Sequence, residues 1–145
     1  MTSGSMELRT GNNLPLDDLL SLYDSVGWVA YTRDPAGLQT AVRNSTFVVS
    51  AWREGQLNGL ARALSDDVSI VYIQDILVRP EFQRGGVGRA LLTHLLKRFA
   101  HVRSAVLLTD NDEKQLRFYA SLGFKNTREL VKVPLNAFVR MANVE

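Results

Sequence analysis

Apolar residues change their spacing several times along the chain, and each change marks an element. Leu16, Leu19, Leu20, Leu22 and Tyr23 recur at helical intervals, and Gly27 stands where that helix would end. A short strand is expected ahead of it at Glu7–Thr10. Asp34 followed by Pro35 predicts the cap and first position of a second helix running to Val42. Thr46–Trp52 is rich in β-formers, Glu54-Gly55-Gln56 is a turn signal, and Leu57–Ala63 reads as the returning strand of a hairpin. After a turn at Ser65-Asp66-Asp67, Val68–Val78 is the longest β-favouring run, a central strand that Arg79-Pro80 must end.

Farther on, Leu91, Leu92, Leu95, Leu96 and Phe99 share one helical stripe, and Ala105–Thr109 predicts a buried strand after it. A strand, a helix and a strand in that order predict two parallel strands. Asp112-Glu113-Lys114-Gln115 resembles a capping box opening a helix through Leu122, with Gly123 at its end and an extended piece from Phe124. Phe138–Met141 is a candidate last strand. The expected class is α/β, a mixed sheet with about four helices.

Composition narrows the function classes. The 145 residues suit one domain, expected over residues 6–145 behind a flexible tail of residues 1–5. With 46% hydrophobic and 22% charged residues, the chain is ordinary globular protein. It has no Cys, which removes disulfides, thiolate nucleophiles and Cys-based metal sites together. No metal is expected. No apolar run reaches the ~18–20 residues of a membrane span, the N-terminus has no secretory pattern, and a cytoplasmic location is expected. The net charge of +2, 17 basic against 15 acidic residues, is too small to argue for nucleic acid. A basic surface built on Arg79, Arg84, Arg98 and Arg103 would lack the interleaved aromatics of a single-strand binder.

The candidate chemistry starts in Gln83-Arg84-Gly85-Gly86-Val87-Gly88-Arg89-Ala90, between the central strand and the leucine helix. A helix N-terminus leaves amides unpaired and carries partial positive charge, so a turn cleared of side chains in front of it is an anion site. Arg84 and Arg89 would add charge-assisted bonds to a phosphate. The alternative is a plain tight turn. A dinucleotide site has a candidate ribose acid in Asp110, but Leu91 stands where its third glycine belongs, and seven residues separate Val78 from Gly86. A nucleoside-triphosphate loop would need Gly-Lys-Ser/Thr, which does not follow.

Gln83-x-x-Gly86-x-Gly88 resembles the signature of the GNAT superfamily of acyl-CoA-dependent N-acyltransferases, and Ile76–Phe82 is similar to that family's lead-in. Leu116-Arg117-Phe118-Tyr119-Ala120-Ser121-Leu122-Gly123-Phe124 resembles its second signature, an aromatic pair on a helix ending in Gly-Phe. The resemblance implies the GNAT fold, whose β4/β5 pair splays apart, with acetyl-CoA as co-substrate. It implies a pyrophosphate cradle from Gln83 through Arg84, Gly85, Gly86, Val87, Gly88 and Arg89. It implies a pantetheine arm paired with the main chain of Ile76, Leu77 and Val78, the Val78 amide polarising the thioester carbonyl. Tyr119 falls where the family places a tyrosine that protonates the departing thiolate; alone, it reads as a packing residue beside Leu116.

One departure lies seven residues before Tyr119, where the family has Asn and this chain has Asp112, with Asn111 one place away as the candidate coenzyme contact. Gln74-Asp75 occupies the place of two acids in the spermidine/spermine N-acetyltransferase branch, with Gln for the first. Asp75 is accordingly a candidate to bind or deprotonate the amine, or a hydrogen-bonding residue of the fold. Trp28 and Tyr31 are candidate walls of an acceptor pocket, or core aromatics beneath a loop. The partner implied is a small-molecule or peptide amine, with a homodimer also expected. The alternative function is a non-catalytic acyl-CoA-binding regulatory module of the same fold.

Overall fold

The computed structural model describes residues 5–142, so all of the expected tail except Ser5 lies outside the described residues. The chain divides into two compact units, Met1–Leu108 and Thr109–Glu145.

The first unit is a five-stranded sheet in the order β1-β2-β3-β4-β5, with β1 Glu7–Thr10, β2 Phe47–Arg53, β3 Gln56–Ser65, β4 Ile70–Val78 and β5 Ser104–Leu107. Its first three pairings are antiparallel and β4–β5 is parallel. The β2–β3 hairpin turns through Glu54 and Gly55, both at positive φ, the twist that suits a two-residue hairpin. Helices α1 (Leu16–Ser25), α2 (Val29–Thr32) and α3 (Pro35–Arg43) follow β1, and α4 (Val87–Arg98) makes the crossover from β4 to β5. Asp34 caps α3 by accepting from the Gly37 amide at 3.1 Å. The short α2 is an addition to the expected helices.

Periodicity decides which face each helix covers. Leu19, Leu22 and Tyr23 of α1 and Leu38 and Val42 of α3 form one core with Leu57, Leu60 and Leu77 of the sheet. The opposite face of β3 carries Gly59, Ala61 and Ala63, small residues that admit the Leu91 stripe of α4. A Cβ on Gly59 would stand 3.0 Å from Leu91 Cδ1 and 3.2 Å from Val87 Cγ1, so glycine sets how closely α4 approaches the sheet. Burial of the apolar stripe, about 1.5–3 kcal/mol for each fully enclosed Leu, holds this layer together.

In the second unit, α5 (Glu113–Ser121) is capped by Asp112, whose carboxylate accepts from the Lys114 amide at 3.2 Å. The helix ends at Gly123, φ 92°. With α2, the described residues hold five α-helices in the expected mixed α/β class. Two expectations are corrected. The strand after α4 is an exposed edge, Val106 at 42% accessibility, because among the described residues β5 pairs only with β4. Phe138–Met141 is not a strand, and no strand is found from Phe124 onward among the described residues.

Candidate functional site

The centre of the candidate site is the far end of β4. Arg62 pairs with Asp75 and Ala63 with Ile73, so Gln74 is one residue too many on β4 and forms a bulge. The β4–β5 ladder ends at Ile73↔Leu107, directly before that bulge. The bulge therefore coincides with the point where β4 leaves β5. Beyond it, the Arg79 amide donates to Asn58 O at 2.7 Å, which turns Leu77 toward β3 as well. By alternation, the amides of Ile76 and Val78 face the side that β5 has vacated.

β4 then runs through a short 3-10 turn at Pro80–Phe82 into the glycine turn. The Gln83 side-chain amide donates to Val78 O at 2.9 Å and ties the turn to the strand end. Arg84 stands at φ 69° and Gly86 at φ 86°; the second is the left-handed entry that delivers the chain into α4 without steric cost. The first i→i+4 bond of α4 runs from the Ala90 amide to Gly86 O, 3.0 Å. The amides of Gly86, Val87 and Gly88 have no carbonyl one turn back in the helix, so they suit an anion. Arg84 and Arg89 are exposed beside them. A pyrophosphate fits this set of donors: outward main-chain amides, a partial positive charge and two arginines, with Gly85 and Gly86 keeping side chains clear.

A second cluster lies under α1 and α2. Asp75 is 3% exposed. Its Oδ2 accepts from Tyr23 Oη at 2.9 Å and from Arg62 Nε at 2.6 Å, and its Oδ1 accepts from Tyr31 Oη at 2.9 Å. Arg62 also donates to Ser45 Oγ at 3.2 Å and Tyr31 Oη at 2.9 Å. Burial alone would lower the Arg62 guanidinium, but the charge and hydrogen bond of Asp75 outweigh it and hold it above its ordinary value. Burial, then the Asp75 charge, pushes the Tyr23 phenol well up, and Tyr31 moves the same way for the same reasons. Of the two sequence readings of Asp75, this environment favours the hydrogen-bonding one.

Trp28 and Tyr31 meet Tyr23 edge-on, with ring centroids 5.9 and 5.0 Å away. Trp28 is 36% exposed, which places it at a surface and not in the core. Gln74, exposed, donates to Tyr31 Oη at 3.3 Å. Sequence reasoning missed Tyr23 and Arg62 as partners of Asp75. The available signal was a lone arginine in the apolar run Leu57–Ala63, which a buried strand tolerates only with a partner.

In the second unit, Tyr119 is half-buried between Phe118 and Phe124, with centroids 5.1 and 6.0 Å away. Burial pushes its phenol up to about 12, so it carries its proton at neutral pH. Asn111 is exposed in the loop before α5, and Asp112 is occupied as the helix cap. Two arginines of the basic-surface alternative are engaged internally. Arg79 is buried and donates to Leu57 O at 2.8 Å, and Arg98 pairs with Asp67 at 2.8 Å.

Comparison with known proteins gives these features a family. Residues 27–144 match the acetyltransferase (GNAT) domain. The chain is 30% identical over 129 residues to the uncharacterized N-acetyltransferase ycf52 of Pyropia yezoensis, covering 86% of this chain and 73% of the relative. A GNAT-family acetyltransferase of Streptococcus pneumoniae superposes with a TM-score of 0.81 at 28% identity, over 96% of this chain and 99% of that one. An aminoglycoside N-acetyltransferase solved with CoA superposes with a TM-score of 0.73 at 15% identity, over 99% and 98%, a likeness of fold alone. The chain belongs to the GNAT family and is an acetyl-CoA-dependent N-acetyltransferase. No helix among the described residues is long and apolar enough to cross a membrane.

Proposed function

We propose that residues 6–145 act as one catalytic domain that transfers the acetyl group of acetyl-CoA to a primary amine by direct attack within a ternary complex. The observation that carries the proposal is the divergence of β4 from β5 at the Gln74 bulge, which turns the Val78 amide toward the vacated side just ahead of the glycine turn. Bound acetyl-CoA supplies the activated thioester. The amides of Gly86, Val87 and Gly88, with Gln83, Gly85 and the Arg84 and Arg89 side chains around them, hold the pyrophosphate. Ile76 and Val78 offer main-chain groups to the pantetheine arm, with Leu77 between them held in the ladder with β3, and the second motif assigns Asn111 to the coenzyme. The Val78 N–H donates to the thioester carbonyl oxygen as negative charge develops there.

The amine nitrogen bonds to the acetyl carbon while the carbon–sulfur bond breaks and sulfur keeps the electron pair. Tyr119, assigned by the second motif, gives its proton to that sulfur, and the proton shed by the amine passes to solvent and restores the phenol. A phenol held near 12 keeps its proton at neutral pH, as an acid must, and is not ionised to serve as a base there. Asp75 acts by positioning: with both oxygens engaged, its carboxylate fixes Tyr31 and, through it, the corner that holds the acceptor beside Trp28.

The acceptor is a small-molecule or peptide amine, and the setting cytoplasmic. The test is a screen of amines and peptides with acetyl-CoA that follows CoA release and acetylated product together. Product with any amine supports the reading. A thermal shift with CoA but no product across the screen would replace it with a coenzyme-binding module.

A further inference from the structure

The charge of the proposed acceptor corner is decided by how the fold partners Asp75 and leaves Gln74 exposed. A regular strand would send Gln74 and Asp75 to opposite faces, whereas the bulge lets both reach the Tyr31 hydroxyl. Asp75, the acid in that pair, is neutralised: Arg62 lies 2.6 Å from it, and both side chains are at most 6% exposed. What reaches solvent is the neutral amide of Gln74, the indole of Trp28 and the side chain of Val29, 52% exposed. Asp24, Arg33 and Asp34 of the neighbouring segments are all exposed and screened by solvent, and Asp34 Oδ1 is taken by the α3 cap.

A polycation bound here would leave water without a buried counter-charge, since the one enclosed carboxylate already has its cation. A flat apolar body, by contrast, matches the exposed indole, and an amide beside it can accept or donate one hydrogen bond. Resting on the acetyl-transfer reading above, we infer that the acceptor carries its reacting amine on an uncharged apolar or aromatic body, and that Gln74 and the Arg62–Asp75 pair set this preference. Trp28 stacks on the body, and Gln74 orients the amine from the β4 side.

The experiment compares phenethylamine with spermidine as acceptors at saturating acetyl-CoA. Expected is a kcat/KM at least about tenfold higher for phenethylamine, and a gap that narrows about tenfold in Gln74→Glu, where one carboxylate stands free beside the bound ammonium. Trp28→Ala should lower kcat/KM for phenethylamine alone. A second readout needs no turnover. Phenethylamine should quench the emission of exposed Trp28 in the CoA complex and spermidine should not, while Trp52, 7% exposed and donating its indole N–H to Ser50 Oγ, stays constant. Preference for spermidine, or an unchanged ratio in Gln74→Glu, overturns the inference and leaves acetyl transfer standing. No product from either amine, with no quenching, overturns the inference as well; quenching by phenethylamine without product overturns only the acetyl-transfer reading.

Discussion

In the turn between β4 and α4 the groups offered outward are main-chain amides; in the corner under α1 and α2 they are side chains brought from four elements. Gln83 reaches Val78, five positions away, whereas Tyr23 and Tyr31 reach Asp75 across 52 and 44 positions. The turn tolerates exposure because its donors belong to the backbone and its glycines are needed only for shape. The Arg62–Asp75 pair at the centre of the corner is buried, and each of its polar atoms must find a partner there. A site made of amides can stay alike in proteins that differ everywhere else. One made of side chains is particular to its chain.

Breaking the corner should cost the most. Arg62→Ala or Asp75→Ala leaves an opposite charge buried without its partner, an expected loss of about 3–5 kcal/mol in urea unfolding. Arg62→Met with Asp75→Leu should lose much less than the two single changes combined. Additive losses would mean that the two residues do not act as a pair.

Tyr119→Phe tests the donor side next. It should lower kcat about a hundredfold with coenzyme affinity nearly unchanged, while the wild-type kcat shows no loss from phenol ionisation until the pH nears 12. Equal turnover in the variant would end the acid role.

Gly86→Val forces a β-branched residue to φ 86°, so it should cost about 1–2 kcal/mol of stability and weaken CoA about tenfold by calorimetry. Arg84→Glu should weaken CoA several-fold and leave the urea midpoint in place, because the side chain is exposed. Unchanged CoA affinity in Arg84→Glu would remove that arginine from the phosphate site.

The smallest effect is one of pH. The Tyr23 and Tyr31 phenols are raised above their ordinary value of 10 in the fold, so folding favours their protonated forms. That contribution is complete below about pH 10 and declines as the pH rises beyond it. Tyr23→Phe should flatten the alkaline fall in stability, and an unaltered slope would place its cause elsewhere.

Most elements of the first unit could be read from spacing, because leucines at helical intervals and β-branched runs report burial directly. The glycine turn was legible for a similar reason: an anion site at a helix start needs only a few adjacent residues. Arg62 and Tyr23 were not legible as partners of Asp75, since nothing local distinguishes a buried ion pair from an ordinary strand arginine and a core tyrosine. The Gln74 bulge was hidden too, because a bulge is a mismatch in count between two strands. Ala105–Thr109 was misread as buried because an apolar run tells nothing about whether a neighbour exists on its far side.

The sequence by itself determined the turn proposed to hold the donor. Gly86, Gly88 and Gln83 fix a turn whose amides need no distant help, and the motif around Tyr119 adds the family. Tertiary structure alone decided the character of the acceptor corner. It brought Arg62 to 2.6 Å from Asp75 and left Gln74 and Trp28 facing outward. The physical reason is range: main-chain donors are positioned by neighbouring dihedral angles, whereas a buried charge takes its meaning from whichever side chain the fold sets against it.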